Sequence, residues 1–160
     1  MNGKFKILKK WTENGEKVAD LEIKSSNLKG IKVSGDISTR LIDEYPILFV
    51  AASFAKGTTE FINLKELRYK ESDRISLLLS NIKKFNPNTT INEYDDGFDI
   101  IPELNESNSS VEIETQGDHR IAMSFMIASL KDKKKIHIDN KRCVETSFPN
   151  FFELLKKWYQ

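Results

Sequence analysis

The stretch Lys70-Glu71-Ser72-Asp73-Arg74 places two cations, two carboxylates and a hydroxyl in five consecutive residues. It follows a strand-like run, Thr58 to Asn63. It precedes Ile75, Leu78, Leu79, Ile82 and Phe85, which recur at helical spacing and stop before Asn86-Pro87. A strand, a charged loop and an amphipathic helix in succession are the parts of a layered chain in which helices cover a sheet. The charge cluster itself has two readings. The first turn of a helix carries unpaired N–H groups and a positive dipole end, so it attracts anions. Equally, Asp73 and Ser72 can cap the helix beside ordinary surface charge.

On the N-terminal side, residues 4–11 and 18–25 read as two strands around Asn14-Gly15, a strong hairpin signal. Asn27 to Gly30 reads as a turn and Gly30 to Val33 as a short strand. From Asp43 to Lys56 nearly every side is apolar, which predicts a buried helix capped by Asp43, with Pro46 in its first turn and Gly57 as its stop.

On the C-terminal side, Thr89 to Tyr94 and Phe98 to Pro102 predict a second hairpin around Asp96-Gly97. Asn105 to Ser110 is a polar loop, and Val111 to Thr115 alternates as a strand does. Ile121 to Leu130 is again apolar on nearly all sides, Lys131 to Lys135 is a basic turn, and Ile136 to Asp139 is a strand. Phe148, Phe151, Phe152, Leu155 and Trp158 mark a final amphipathic helix with its aromatic residues in the core. The order is strand, helix, strand, helix, hairpin, strand, helix, strand, helix. It predicts an α/β or α+β domain with two buried helices as a central layer.

Composition narrows the function. The 160 residues suffice for one domain with a real core. Lysine and arginine total 25 against 24 acids, so there is no broad basic surface for nucleic acid, and anion binding has to be local. One cysteine, Cys143, excludes an internal disulfide, and with only His119 and His137 beside it a Cys/His zinc site has too few ligands. His137 reads as an exposed strand position and Cys143 as packing. The longest apolar run, Ile47 to Ala55, is too short to span a bilayer, and no apolar signal-peptide core follows the basic N-terminus. The expectation is a soluble, cytoplasmic protein.

Three helices begin with compact polar motifs: Asp43-Glu44, Glu71-Ser72-Asp73-Arg74 and Asp118-His119-Arg120. Arg74 and Arg120 fall in first turns, where a cation is unfavourable unless something negative is near. If Lys70, Arg74 and Arg120 converge, they form a phosphate or carboxylate clamp, with Asp43 and Glu71 beside it to move protons. Caps alone remain the competing reading.

Several of these motifs, taken in order, resemble the C-terminal part of the 5-enolpyruvylshikimate-3-phosphate synthase (3-phosphoshikimate 1-carboxyvinyltransferase) family. They are Leu41-Ile42-Asp43-Glu44-Tyr45-Pro46, Ala55-Lys56-Gly57-Thr58-Thr59, Arg68 to Arg74, Gly117-Asp118-His119-Arg120-Ile121-Ala122-Met123, and Thr146-Ser147-Phe148-Pro149. The likeness runs from about Trp11 to Trp158. It implies repeated βαβαββ units and transfer of the enolpyruvyl group of phosphoenolpyruvate to shikimate 3-phosphate, with no metal or cofactor. By the same resemblance, Asp43 and Lys70 hold shikimate 3-phosphate, Asp43 accepts the hydroxyl proton, and Glu71 shuttles the methylene proton. Arg74, Arg120, Asp118 and His119 line the phosphoenolpyruvate (and glyphosate) site, and Thr146 stands where many members carry a lysine.

Family members are much longer, with two domains of three units each that close over the substrates. The chain is therefore expected to be a single partial domain, about two of the three units, without the N-terminal domain. Met1 falls where the family chain is mid-element, as in a fragment. Alone it is expected to be inactive, to self-associate through exposed apolar surface, or to partner a separate N-terminal half; a non-catalytic anion-binding remnant is the alternative.

Overall fold

In the computed structural model, which describes residues 1–103, 110–132 and 134–158, the chain opens with a long hairpin. Strand β1 (Lys4–Glu13) pairs antiparallel with β2 (Glu16–Lys24). Asn14 and Gly15 make the turn, both at positive φ (50° and 87°), the combination that matches hairpin twist. The polar loop expected at Asn105 to Ser110 lies outside the described residues except for Ser110, which begins a strand.

A complete βαβαββ unit follows. Strand β3 (Lys32–Val33) leads through a short helix α1 (Asp36–Arg40) into α2 (Tyr45–Ala52) and then into β4 (Thr59–Ile62), which lies parallel to β3. A 3-10 turn at Lys65–Tyr69 delivers α3 (Arg74–Phe85), and β5 (Thr90–Tyr94) and β6 (Gly97–Ile101) close the unit as a hairpin. The sheet order is β3-β4-β6-β5. The second hairpin turns at Asp95-Asp96 rather than at Asp96-Gly97, because Gly97 already pairs with Tyr94. Gly97 serves close approach instead: a Cβ there would lie 2.0 Å from the Phe61 carbonyl oxygen of β4.

The remaining elements repeat the first four of that unit. Strand β7 (Ser110–Ile113), helix α4 (His119–Asp132) and parallel strand β8 (Lys135–Ile138) are followed by two short helices, α5 (Arg142–Ser147) and α6 (Phe151–Lys156). The equivalence extends to the connections. Asn63, just after β4, accepts from Gly35 N at 2.8 Å, and Asp139, just after β8, accepts from Thr115 N at 2.9 Å.

Helices α2 and α4 pack on each other in the interior, as their apolar sequences predict. Tyr45 and Phe49 of α2 meet Phe61 of β4 and Phe98 of β6, with ring centroids 4.5 to 5.8 Å apart. Helix α3 is more buried than its stripe suggests, since Leu77 and Asn81 are covered as well as Ile75, Leu78, Leu79, Ile82 and Phe85. The final helix is shorter than expected, and two of its supposed core aromatics are not core: Phe148 is 43% exposed and Trp158 76%. Phe151 and Leu155 do pack, against Ala122, Ile138 and Val144.

Candidate functional site

Three chain segments meet at one arginine. Arg74 is the first residue of α3 and is completely buried. Its Nε donates to Asp118 Oδ2 at 2.7 Å, its Nη1 to Asp43 Oδ1 at 3.1 Å, and its Nη2 to Glu71. Asp118 is also completely buried. While its Oδ2 takes Arg74 and the Ser72 hydroxyl, its Oδ1 accepts from the Arg120 backbone N–H at 2.9 Å. One aspartate thus caps α4 and neutralises the arginine that opens α3.

The other cations gather on Asp43. Lys70 Nζ lies 3.7 Å from Asp43 Oδ1, and Arg120 Nη1 donates to the Asp43 carbonyl at 2.7 Å and to Glu44 Oε1 at 3.2 Å. Asp43 is therefore not the helix cap its position suggests; Glu44 holds the cap position of α2 and makes no capping bond, because both acids are drawn to arginines. Asp73, by contrast, does cap α3, accepting from Ser76 N at 3.1 Å. Ser72 hydrogen-bonds Asp118 instead of capping.

Burial pushes the Asp43 carboxyl up, but the Arg74 hydrogen bond and the charges of Lys70, Arg120 and Arg74 outweigh it and hold the group below its ordinary range. For Arg74, burial opposes the charge, and the bonds to Asp118, Asp43 and Glu71 more than restore it. Three cations thus face four carboxylates, those of Asp43, Glu44, Glu71 and Asp118. The simple picture of a positive clamp awaiting an anion needs correcting, because every Arg74 nitrogen already has a carboxylate partner. Those partners differ. Asp118 is sealed in, whereas the Asp43 and Glu71 side chains are about half exposed (47% and 50%) and can be exchanged for an incoming anion. Arg120, 32% exposed, borders a cleft of about 130 Å³ with Asp43, Ile47 and Met123.

The sequence-predicted residues Asp43, Lys70, Glu71, Arg74, Asp118 and Arg120 are therefore brought together, and His119 is half-buried beside them at the start of α4. Thr146 is exposed on α5, where its hydroxyl donates to the Cys143 carbonyl of the same helix. Sequence reasoning missed Asp139. Its carboxylate accepts from Thr115 N, Thr115 Oγ1 (2.6 Å) and Asn140 N (2.7 Å), fixing the loop that presents Asp118. Burial raises this carboxyl, and those bonds lower it to a net value below the ordinary range. The signal was available: a polar residue directly follows the second strand of each parallel pair, Asn63 in one and Asp139 in the other.

Residues 7–155 match the family model described as EPSP synthase (3-phosphoshikimate 1-carboxyvinyltransferase). The 3-phosphoshikimate 1-carboxyvinyltransferase of Geobacter metallireducens is 42% identical over 157 residues, 98% of this chain and 36% of that protein. The same-named protein of Petrotoga mobilis is 45% identical over the same shares. A solved EPSP synthase structure from Acinetobacter baumannii superposes with a TM-score of 0.86 at 37% identity, covering 97% of this chain and 36% of that one. The chain thus spans about a third of the length of the relatives it matches. Among the described residues, no helix is long and apolar enough to cross a membrane.

Proposed function

This chain belongs to the EPSP synthase family, and on that premise we propose that it is the C-terminal part of an enzyme transferring the enolpyruvyl group of phosphoenolpyruvate to the 5-hydroxyl of shikimate 3-phosphate. Such an enzyme works in the cytoplasm on the route to aromatic amino acids. The reaction joins the hydroxyl oxygen to C2 of phosphoenolpyruvate while the C3 methylene takes a proton. The tetrahedral adduct then loses a C3 proton and expels phosphate.

The observation that carries the reading is the convergence of Lys70, Arg74 and Arg120, from two separate helix starts and the loop before α3, on Asp43. Asp43 is ionised near neutral pH, and it takes the hydroxyl proton once substrate anions offset the Arg74, Lys70 and Arg120 charges that lower its carboxyl and weaken it as a base. Lys70 beside it suits the phosphate of shikimate 3-phosphate. Glu71, half exposed and tied to Arg74, is placed to be released when an anion takes that arginine, freeing it to carry the methylene proton. Arg74 and Arg120 receive phosphoenolpyruvate, with Asp118 holding Arg74 in place and His119 alongside. Thr146 supplies no charge in place of the lysine many members carry.

The site is half of one. The remaining contacts come from the two thirds of the family polypeptide outside this chain, so the chain acts only with that complementary portion. A remnant that binds anions unaided is the weaker reading, because the exchangeable carboxylates already satisfy Arg74. Titration of the chain with phosphoenolpyruvate and shikimate 3-phosphate, followed by amide NMR, tests this. Shifts at residues 43, 70–74 and 118–120 that strengthen when the complementary portion is added are expected. Shifts confined to other surfaces would overturn it.

A further inference from the structure

Arg68 opens the charged run that ends at Arg74, yet it takes no part in the cluster around Arg74 and Asp43. Its Nη1 donates to Asp73 Oδ2 at 3.3 Å and to Ser76 Oγ at 3.1 Å, and its Nη2 donates to Glu93 Oε1 at 2.6 Å. One mostly covered side chain, 23% exposed, thus ties the 3-10 turn to the cap of α3 and to β5. An isolated surface ion pair contributes little. A planar fork shared among three elements fixes where they sit relative to one another.

Arg68 and Asp73 are the two feet of an arch, and its span carries Lys70 and Glu71. Among the described residues, no backbone-to-backbone hydrogen bond holds Lys70, Glu71 or Ser72. Side chains set the span instead: Lys70 lies against Asp43, Glu71 against Arg74, and the Ser72 hydroxyl donates to Asp118 at 3.3 Å. The first two contacts are the ones that substrate anions take over. What then remains is Ser72 in the span and Arg68 at the base. The base is firm, because Leu64 and Leu67 are completely buried and Lys65 N donates to Asp96 Oδ1 at 2.9 Å.

We propose that Arg68 is a positioning residue for the transfer. Through Asp73 and Glu93 it holds the arch, so that Lys70 and Glu71 keep their places once substrate has drawn Lys70 from Asp43 and Arg74 from Glu71. This rests on the enolpyruvyl-transfer reading above. Arg68 acts through the arch, since its own hydrogen bonds run to Asp73, Ser76 and Glu93. Arg74 has separate support, because the sealed-in Asp118 holds it at 2.7 Å. Loss of Arg68 therefore disturbs what the arch carries and spares what Arg74 and Arg120 bind. Misplacement of a reacting group by about 1 Å can cost about 100-fold in rate.

The test is steady-state kinetics of the chain mixed with the complementary two thirds of a family polypeptide, comparing the unaltered chain with Arg68→Met, Arg68→Lys and Glu93→Ala. Arg68→Met should lower kcat roughly 10- to 100-fold and raise KM for shikimate 3-phosphate roughly tenfold, while KM for phosphoenolpyruvate changes by less than about twofold. Arg68→Lys should recover part of kcat. Glu93→Ala alters an exposed strand residue and should give the same split at smaller size, which keeps the test readable if Arg68→Met does not fold. A merely structural role would cut the active fraction, lowering kcat with both KM values unchanged, and that result overturns the proposal. A matched rise in both KM values overturns it as well. Amide relaxation of the chain alone is a second readout: residues 70–72 should gain motion in Glu93→Ala while 74–85 keep theirs, and unchanged order at 70–72 counts against Arg68. No phosphate release from the unaltered mixture would overturn the enolpyruvyl-transfer reading and this proposal with it. Turnover by that mixture without the split overturns this proposal alone.

Discussion

Replacing Asp118 with alanine tests whether the site is built around a permanently buried ion pair with exchangeable outer partners. Asp118 and Arg74 are both completely enclosed, 2.7 Å apart, whereas Asp43 and Glu71 reach the same guanidinium from positions about half exposed to water. Removing one member of a buried pair typically costs about 3–5 kcal/mol, because a charge stays buried without its partner. Here Asp43 and Glu71 still contact Arg74, which moderates the loss, while the vanished cap of α4 adds about 1 kcal/mol. The expected total is about 3–4 kcal/mol, or roughly 6–16 °C in melting temperature for a chain of this size. Glu71→Ala, which removes a half-exposed partner, should cost about 1 kcal/mol or less. Urea unfolding followed by circular dichroism measures both, read as a change in midpoint at constant slope. Equal losses for the two variants, or a loss below about 1 kcal/mol for Asp118→Ala, would refute the distinction between permanent and exchangeable partners.

Other outcomes follow from the same structure. Asp43 and Asp139 both have folded-state carboxyls below the ordinary range, so their contribution is complete above the unfolded value near about 4 and is lost as pH falls through the lower folded value. Asp139→Asn should therefore melt lower at neutral pH, by the equivalent of about 1–3 kcal/mol, yet lose less than wild type on going to pH 3; parallel thermal melts decide this. Phe49→Ala should cost about 3–5 kcal/mol in denaturant titration, since its ring touches Tyr45, Phe61 and Phe98. Gly97→Ala should selectively weaken the β4–β6 pairing, seen as faster amide exchange there, because the added methyl meets the Phe61 carbonyl.

What the sequence made legible follows the range of the interactions involved. Asn14-Gly15 declared its hairpin because turn conformation is a property of those two residues. The next hairpin was read one residue late, since Gly97 looks like a turn glycine but is required by a strand beside it. Helices α1 and α5 are too short to show a period, and the six residues of α6 occupy only part of the aromatic run at 148–158. Gathering the charged helix starts was foreseeable from arginines in first turns. The saturation of Arg74 was not, because it depends on acids 31 and 44 residues away. The burial of Leu77 and Asn81 likewise depends on packing that residues near α3 do not reveal, including contacts with β7.

The most direct test of the central claim is steady-state phosphate release from phosphoenolpyruvate and shikimate 3-phosphate. It would compare the purified chain alone, the complementary two thirds of a family polypeptide alone, and the two together, with Asp43→Asn as control. The account predicts negligible release from either part, turnover on mixing, and its loss in the variant. Ordinary turnover by the chain alone, or a mixture that binds both substrates yet releases no phosphate, would contradict it.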